Sequence, residues 1–167
     1  MSAKILIVDD HYVVRQGVRS ILAERPEWEI CGEAGTGEEA VDAAATLRPD
    51  VVILDITMPG ISGLDAASRI VALGTGTRIL IFTMHESQRM AADVREAGAH
   101  GLVQKSQAAR DLILAVERLL TGVFLDSELG AGIARSDFLN KQPLVLPAAH
   151  HRAAEQAQTA VGYQRFH

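Results

Sequence analysis

Val51–Gly60 reads V-V-I-L-D-I-T-M-P-G. Its four leading apolar residues, mostly β-branched, run into Asp55 with no polar alternation. Such a run marks a strand covered on both faces, as in a parallel sheet. Met58-Pro59-Gly60 then ends it, because proline and glycine punctuate turns. Asp55 therefore falls at the carboxyl end of a central strand. In open α/β sheets that edge is where ligands bind.

Outward from this strand, the same unit recurs. Lys4–Val8 is a short apolar strand ending in the acid pair Asp9-Asp10. Val13, Val14, Gly17, Val18, Ile21 and Leu22 follow at helical spacing, with Arg15, Gln16, Arg19 and Glu24 on the other side as a solvated face. Asp10 is placed to cap that helix. Trp28–Glu33 alternates apolar and polar, as a strand nearer the sheet edge does. Glu38–Leu47 is helical, and a helix of about ten residues starts at Gly63. Arg78–Phe82 is a strand ending at Thr83; Glu86–Ala97 is a helix; Gly101–Gln104 is a strand ending at Lys105; Gln107–Leu120 is a helix ended by Gly122. Five strands alternating with five helices predict an α/β fold with a doubly wound, five-stranded parallel sheet. Its connections should be right-handed crossovers.

The chain has 167 residues, enough for one domain with an appendage. An apolar fraction of 48% and a charged fraction of 22% are ordinary for a globular protein. The net charge of −5 gives no electrostatic reason to bind nucleic acid or anionic lipid. A single cysteine, Cys31, excludes an intrachain disulfide and fits a reducing compartment. No run approaches the length of a membrane span, and Ile5–Val8 is too short for a signal peptide. A cytoplasmic location is expected.

The strand ends carry the chemistry. Asp9 and Asp10, Asp55, Thr83 and Lys105 close four different strands, so a parallel sheet brings them to one edge. Three crowded carboxylates repel one another unless a cation sits among them. Mg²⁺ suits such a site, since it takes oxygen ligands and keeps several waters. A lysine ammonium is a point charge suited to a phosphoryl oxygen, and a threonine hydroxyl can donate to another. An aspartate can itself act as a nucleophile and carry the phosphoryl group. Displacement at Asp55 is thus a complete chemical proposal. Met58 and Met84 are expected to pack around this pocket, and His11 to lie at the helix start. His150, His151 and His167 read as part of a solvated tail.

I-L-I-V-D-D-H at Ile5–His11, V-R-Q-G at Val14–Gly17, L-D-I-T-M-P-G-I-S-G-L-D-A at Leu54–Ala66, I-F-T-M-H at Ile81–His85, G-A at Gly98-Ala99 and Lys105 together resemble the receiver domain of bacterial two-component response regulators of the NarL/FixJ-type subfamily. The resemblance spans about residues 3–121. It implies a flavodoxin-like sheet of order 2-1-3-4-5. It makes Asp55 the phosphoacceptor and Asp10 a direct Mg²⁺ ligand, with Asp9 supporting the site and the Thr57 backbone carbonyl a further ligand. Thr83 becomes the switch hydroxyl and Lys105 the lysine of the site. Its implied partners are a sensor histidine kinase and, on phosphorylation, a second copy of the chain.

The sequence departs from the family pattern in three places. His100 is assigned to the position of an aromatic switch residue, with a polar ring able to titrate near neutrality. Gln104 replaces an apolar residue before Lys105. Past residue 121 nothing resembles the subfamily's helix-turn-helix domain. Residues 1–121 are therefore read as the receiver and 122–167 as a linker-like helix with a poorly ordered tail, with no direct DNA binding expected. Two rival readings stay open. A phosphatase of the haloacid-dehalogenase type also uses an aspartyl-phosphate, although Thr57 stands where its second acid would be. A phosphorylation-independent interaction module would keep the pocket without the switch.

Overall fold

The computed structural model describes residues 2–84 and 88–122. Its parallel strands are β1 (Ala3–Val8), β2 (Trp28–Ala34), β3 (Val51–Leu54), β4 (Arg78–Thr83) and β5 (Gly101–Gln104). The helices are α1 (Tyr12–Leu22), α2 (Gly37–Leu47), α3 (Gly63–Ala72), α4 (Gln88–Glu96) and α5 (Ala108–Thr121), the last preceded by a 3₁₀ turn over Lys105–Gln107. Strand order is β2-β1-β3-β4-β5, the expected doubly wound arrangement. The predicted fourth helix is described from Gln88 onward. The tail expectations fall outside the described residues.

The continuous apolar strands are explained by two covering layers. Ile5 and Ile7 of β1, Val51 and Ile53 of β3, Leu80 and Phe82 of β4, and Val103 of β5 pack against α1 and α5. The alternate set, Leu6, Val8, Val52, Leu54, Ile79 and Ile81, is equally buried on the other face. At about 25 cal/mol per Å² of apolar surface, such burial is the main stabilising term.

Local chemistry sets the helix starts. Thr36 and Ser62 accept the Glu39 and Asp65 N–H groups, capping α2 and α3. Asp10 caps nothing: His11 is the N-cap of α1 and makes no side-chain cap bond. The Asp9 carboxylate instead takes the His11 N–H at 2.9 Å. Edge strand β2 departs from simple alternation, for its register against β1 shifts between the pairs Ile5–Ile30 and Leu6–Gly32. Cys31 is the extra residue of this bulge, half-buried, with Sγ 3.4 Å from the Ile5 carbonyl.

Candidate functional site

The strand order places β1 beside β3, so Asp9 and Asp55 continue adjacent, hydrogen-bonded strands. Asp55 N–H donates to the Val8 carbonyl at 2.9 Å, and Asp9 N–H to that of Ala34 at 3.1 Å. Both carboxylates are held by backbone that the sheet makes rigid, and both are buried. From β5, two strands away, Lys105 reaches across Phe82 of β4, its Nζ 5.9 Å from the ring centre. That ammonium, only 8% exposed, lies 2.5 Å from Asp9 Oδ2 and 3.2 Å from Asp55 Oδ2. One buried cation thus serves two buried anions.

The loop after β3 is pinned close to Asp55. Gly63 N–H donates to the Ile56 carbonyl at 2.8 Å. A Cβ at Gly63 would overlap the Asp55 carbonyl oxygen and stand 2.7 Å from Ile56 Cα, so α3 can start this near the site only with glycine there. Glu38 of α2 accepts the Ile61 N–H at 3.1 Å, fixing the far side of the loop. Burial pushes the Asp55 carboxyl up from its ordinary value; Lys105 opposes the shift, Asp9 adds to it, and a backbone hydrogen bond from Thr57 opposes it.

Asp10 is exposed and borders the buried pair. Its Oδ1 is 2.9 Å from His11 Nδ1, which also lies 3.3 Å from Asp9 Oδ1. Asp9, Asp10 and His11 bring one ligand atom each within 4.8 Å of one another. The donor set is rich in carboxylate oxygen, and the buried Asp9 Oδ2 receives no well-formed hydrogen bond, the ammonium apart. These features fit a hard divalent cation of the Mg²⁺ kind.

Asp9, Asp55 and Lys105 are therefore brought together, with Asp10 at the rim. Thr83 is buried at the carboxyl end of β4, opposite Gln104. Met84 is 64% exposed and does not pack into a pocket wall. The assignment of His100 needs correction. Its N–H donates to the Ile79 carbonyl at 2.8 Å, and its Nδ1 accepts the Ile79 N–H at 3.1 Å. Ile79 is four residues before Thr83 along β4, about 13 Å at the usual strand rise. His100 thus sits at the opposite end of the sheet, where it cannot follow a movement of Thr83. Nor does it titrate near neutrality: burial, and then the charge of Arg78, lower its pKa to about 4. On the face shared with Thr83, the β5 side chain opposite Ile81 is Leu102, which is buried.

Arg15 also departs from the expectation of a solvated helix face. It is not solvated: its side chain is 18% exposed. Its Nη1 donates to the Asp9 carbonyl at 2.8 Å and its Nε to Glu33 at 2.9 Å. Arg19 binds the same glutamate at 2.6 Å. Together Arg19, first, and Arg15 draw the Glu33 pKa down against its burial.

A parallel sheet of this order, with buried acids and a lysine converging at its carboxyl edge, defines the receiver class of signalling domain. The family model for the response regulator receiver domain matches residues 5–117, and the chain belongs to that family. Among known proteins it is similar to the response regulator UvrY of Escherichia coli, 35% identical over 79% of this chain and 61% of that one. It is likewise similar to the nitrate/nitrite response regulator protein NarL of the same species, 31% identical over 75% and 58%. The chain thus spans about three fifths of the length of these relatives. A two-component response regulator of the LuxR family from Aurantimonas has a similar structure, at TM-score 0.70 and 33% identity over 94% of this chain and 99% of that one. So does the isolated REC domain of RcsB from Salmonella enterica, solved in the presence of the phosphomimetic BeF₃⁻, at TM-score 0.68 and 26% identity over 73% and 91%. Among the described residues no helix is long and apolar enough to cross a membrane.

Proposed function

We propose that this receiver is phosphorylated on Asp55 by a sensor histidine kinase, in a Mg²⁺-dependent reaction that switches a protein contact. The observation that carries the reading is the placement of Lys105 Nζ between Asp9 and Asp55, at 2.5 and 3.2 Å, on a site otherwise rich in acid. An Asp55 oxygen forms the new bond to phosphorus as the bond to the donor imidazole breaks, and the imidazole leaves with a proton. Asp10, Asp55 and the Thr57 backbone carbonyl would hold Mg²⁺, with Asp9 in support; bound there, the ion would neutralise the phosphoryl oxygens. Lys105 pairs with one of those oxygens once it is drawn from the carboxylates, and the Thr83 hydroxyl donates to another.

The same charge pattern suits one phosphoryl group held and later hydrolysed, rather than turnover of outside substrates. The acid that a haloacid-dehalogenase-type phosphatase places two residues after its nucleophile is here Thr57, which cannot act as general acid. The output would be dimerisation or binding of another protein, through a two-state shift that phosphorylation biases. Intact-mass spectrometry after incubation with Mg²⁺ and acetyl phosphate tests this. One added phosphoryl group is expected on the wild type and none on Asp55→Asn, with size-exclusion chromatography reporting any dimer. An adduct retained by the variant, or none on a wild type that also ignores beryllofluoride, overturns the reading.

A further inference from the structure

We infer that Arg15 is a positioning residue for the metal site: tethered by Glu33, it holds the Asp9–Asp10 peptide and so sets where Asp10 points. The inference rests on the receiver reading and adds to it a residue outside the pocket.

The backbone here lies between two ladders. The β1–β2 pairing ends at Val8–Ala34, and the first turn of α1 begins with Arg15 N–H bonding the His11 carbonyl at 3.2 Å. The Asp9 carbonyl falls between them, in a part-buried place where a carbonyl needs a donor. The Arg15 guanidinium supplies it, Nη1 to Asp9 O at 2.8 Å, while Nε holds Glu33 Oε2 at 2.9 Å. The planar fork serves both acceptors in one fixed geometry, which a lysine ammonium does not reproduce. Glu33 is fixed in turn by its place on β2 and by Arg19.

This bears on the site because, among the described residues, Asp10 has no other anchor of that strength. Its carboxylate caps no helix, and it pairs with the exposed His11 at 2.9 Å. Its direction therefore follows from the plane of the peptide that precedes it. Arg15 also lies over the Tyr12 ring at 5.6 Å, which limits the guanidinium's freedom from the other side.

The test uses the full chain and a ¹H–¹⁵N NMR titration with Mg²⁺ on the wild type, Arg15→Ala, Arg15→Lys and Arg19→Ala. Arg19→Ala removes an ion pair to the same glutamate without touching Asp9, so it controls for loss of that pair. Supporting residues of metal ligands are usually worth about tenfold in affinity or more. Arg15→Ala should weaken Mg²⁺ about tenfold, Arg15→Lys less, and Arg19→Ala should stay within about twofold. The Asp10 ¹⁵N resonance, whose nitrogen shares its amide with the Asp9 carbonyl, should move in metal-free Arg15→Ala and hold in Arg19→Ala. If Arg15→Ala does not fold, Glu33→Gln should show the same shift and loss at smaller size. Equal effects of Arg15→Ala and Arg19→Ala, or an unmoved Asp10 resonance, overturn the inference while leaving the receiver reading intact. A wild type that binds no Mg²⁺ overturns both.

Discussion

The two edges of the one sheet are built to opposite ends. At the amino edge polar groups tie the strands and loops together in pairs. Lys4 N–H donates to Asp50 Oδ2 at 2.8 Å, and Asp50 N–H to the Lys4 carbonyl at 2.8 Å. Thr77 Oγ1 donates to the Pro49 carbonyl at 2.9 Å, and His100 exchanges two hydrogen bonds with Ile79. At the carboxyl edge the buried Asp9 and Asp55 share one ammonium, and Asp10 waits at the rim. Burying like charges costs several kcal/mol per ion unless they are compensated. The first edge is a device for stability; the second keeps an excess of negative charge that a bound cation would relieve. The same strands tolerate this because their interior is apolar and covered on both faces.

The sharpest way to break the comparison is at the carboxyl edge, where packing and charge are both tight. Gly63→Ala would force α3 away from Asp55 and Ile56, since the added Cβ meets backbone, which yields little. Overpacking of this kind costs about 3 kcal/mol or more, and denaturant unfolding should show a loss of that size with the slope unchanged. A cost below about 1 kcal/mol would mean the loop moves freely and does not pin the site. Lys105→Met comes next. Removing one partner of a buried ion pair costs about 3 kcal/mol, here because Asp9 and Asp55 are left facing each other. Thermal melts should show that Mg²⁺ restores more stability to Lys105→Met than it adds to the wild type. Equal gains would mean the lysine is not neutralising the acids.

Much of this contrast was legible in the sequence, and for a physical reason. Buried parallel strands must be apolar throughout, so Val51–Leu54 and Ile5–Val8 declare themselves and place the acids that follow them. Convergence then follows from topology alone. What stayed hidden depends on long-range pairing. Arg15 lies on the polar side of α1, and periodicity says only that; Glu33, its partner, is 18 residues away on a different element. Residue type alone does not carry strand register, and the pairing of Leu80 with Gly101 puts His100 at the amino edge instead of beside Thr83. The bulge at Cys31 leaves no mark in an alternating pattern.

The smallest expected effect sharpens the amino edge instead. His100 is neutral there because burial, and the Arg78 charge after it, hold its pKa near 4, and because its Nδ1 must stay unprotonated to accept the Ile79 N–H. The unfolded chain would bind the proton at the ordinary value of 6.5. Between those values the unfolded state holds more protons than the folded one, so stability rises with pH across that window and is fully present above it. Acidification from about 6.5 toward 4 should therefore lower the melting temperature by a few degrees more in the wild type than in His100→Asn, an uncharged variant. The carboxylates titrate in the lower part of the same window, so the difference between the two proteins, rather than either melt alone, isolates the imidazole. Superimposable pH profiles would show that His100 takes up its proton at the same pH folded and unfolded, so that Nδ1 is not held as an acceptor for the Ile79 N–H. The amino edge would then owe its stability to the Lys4–Asp50 and Thr77–Pro49 ties instead.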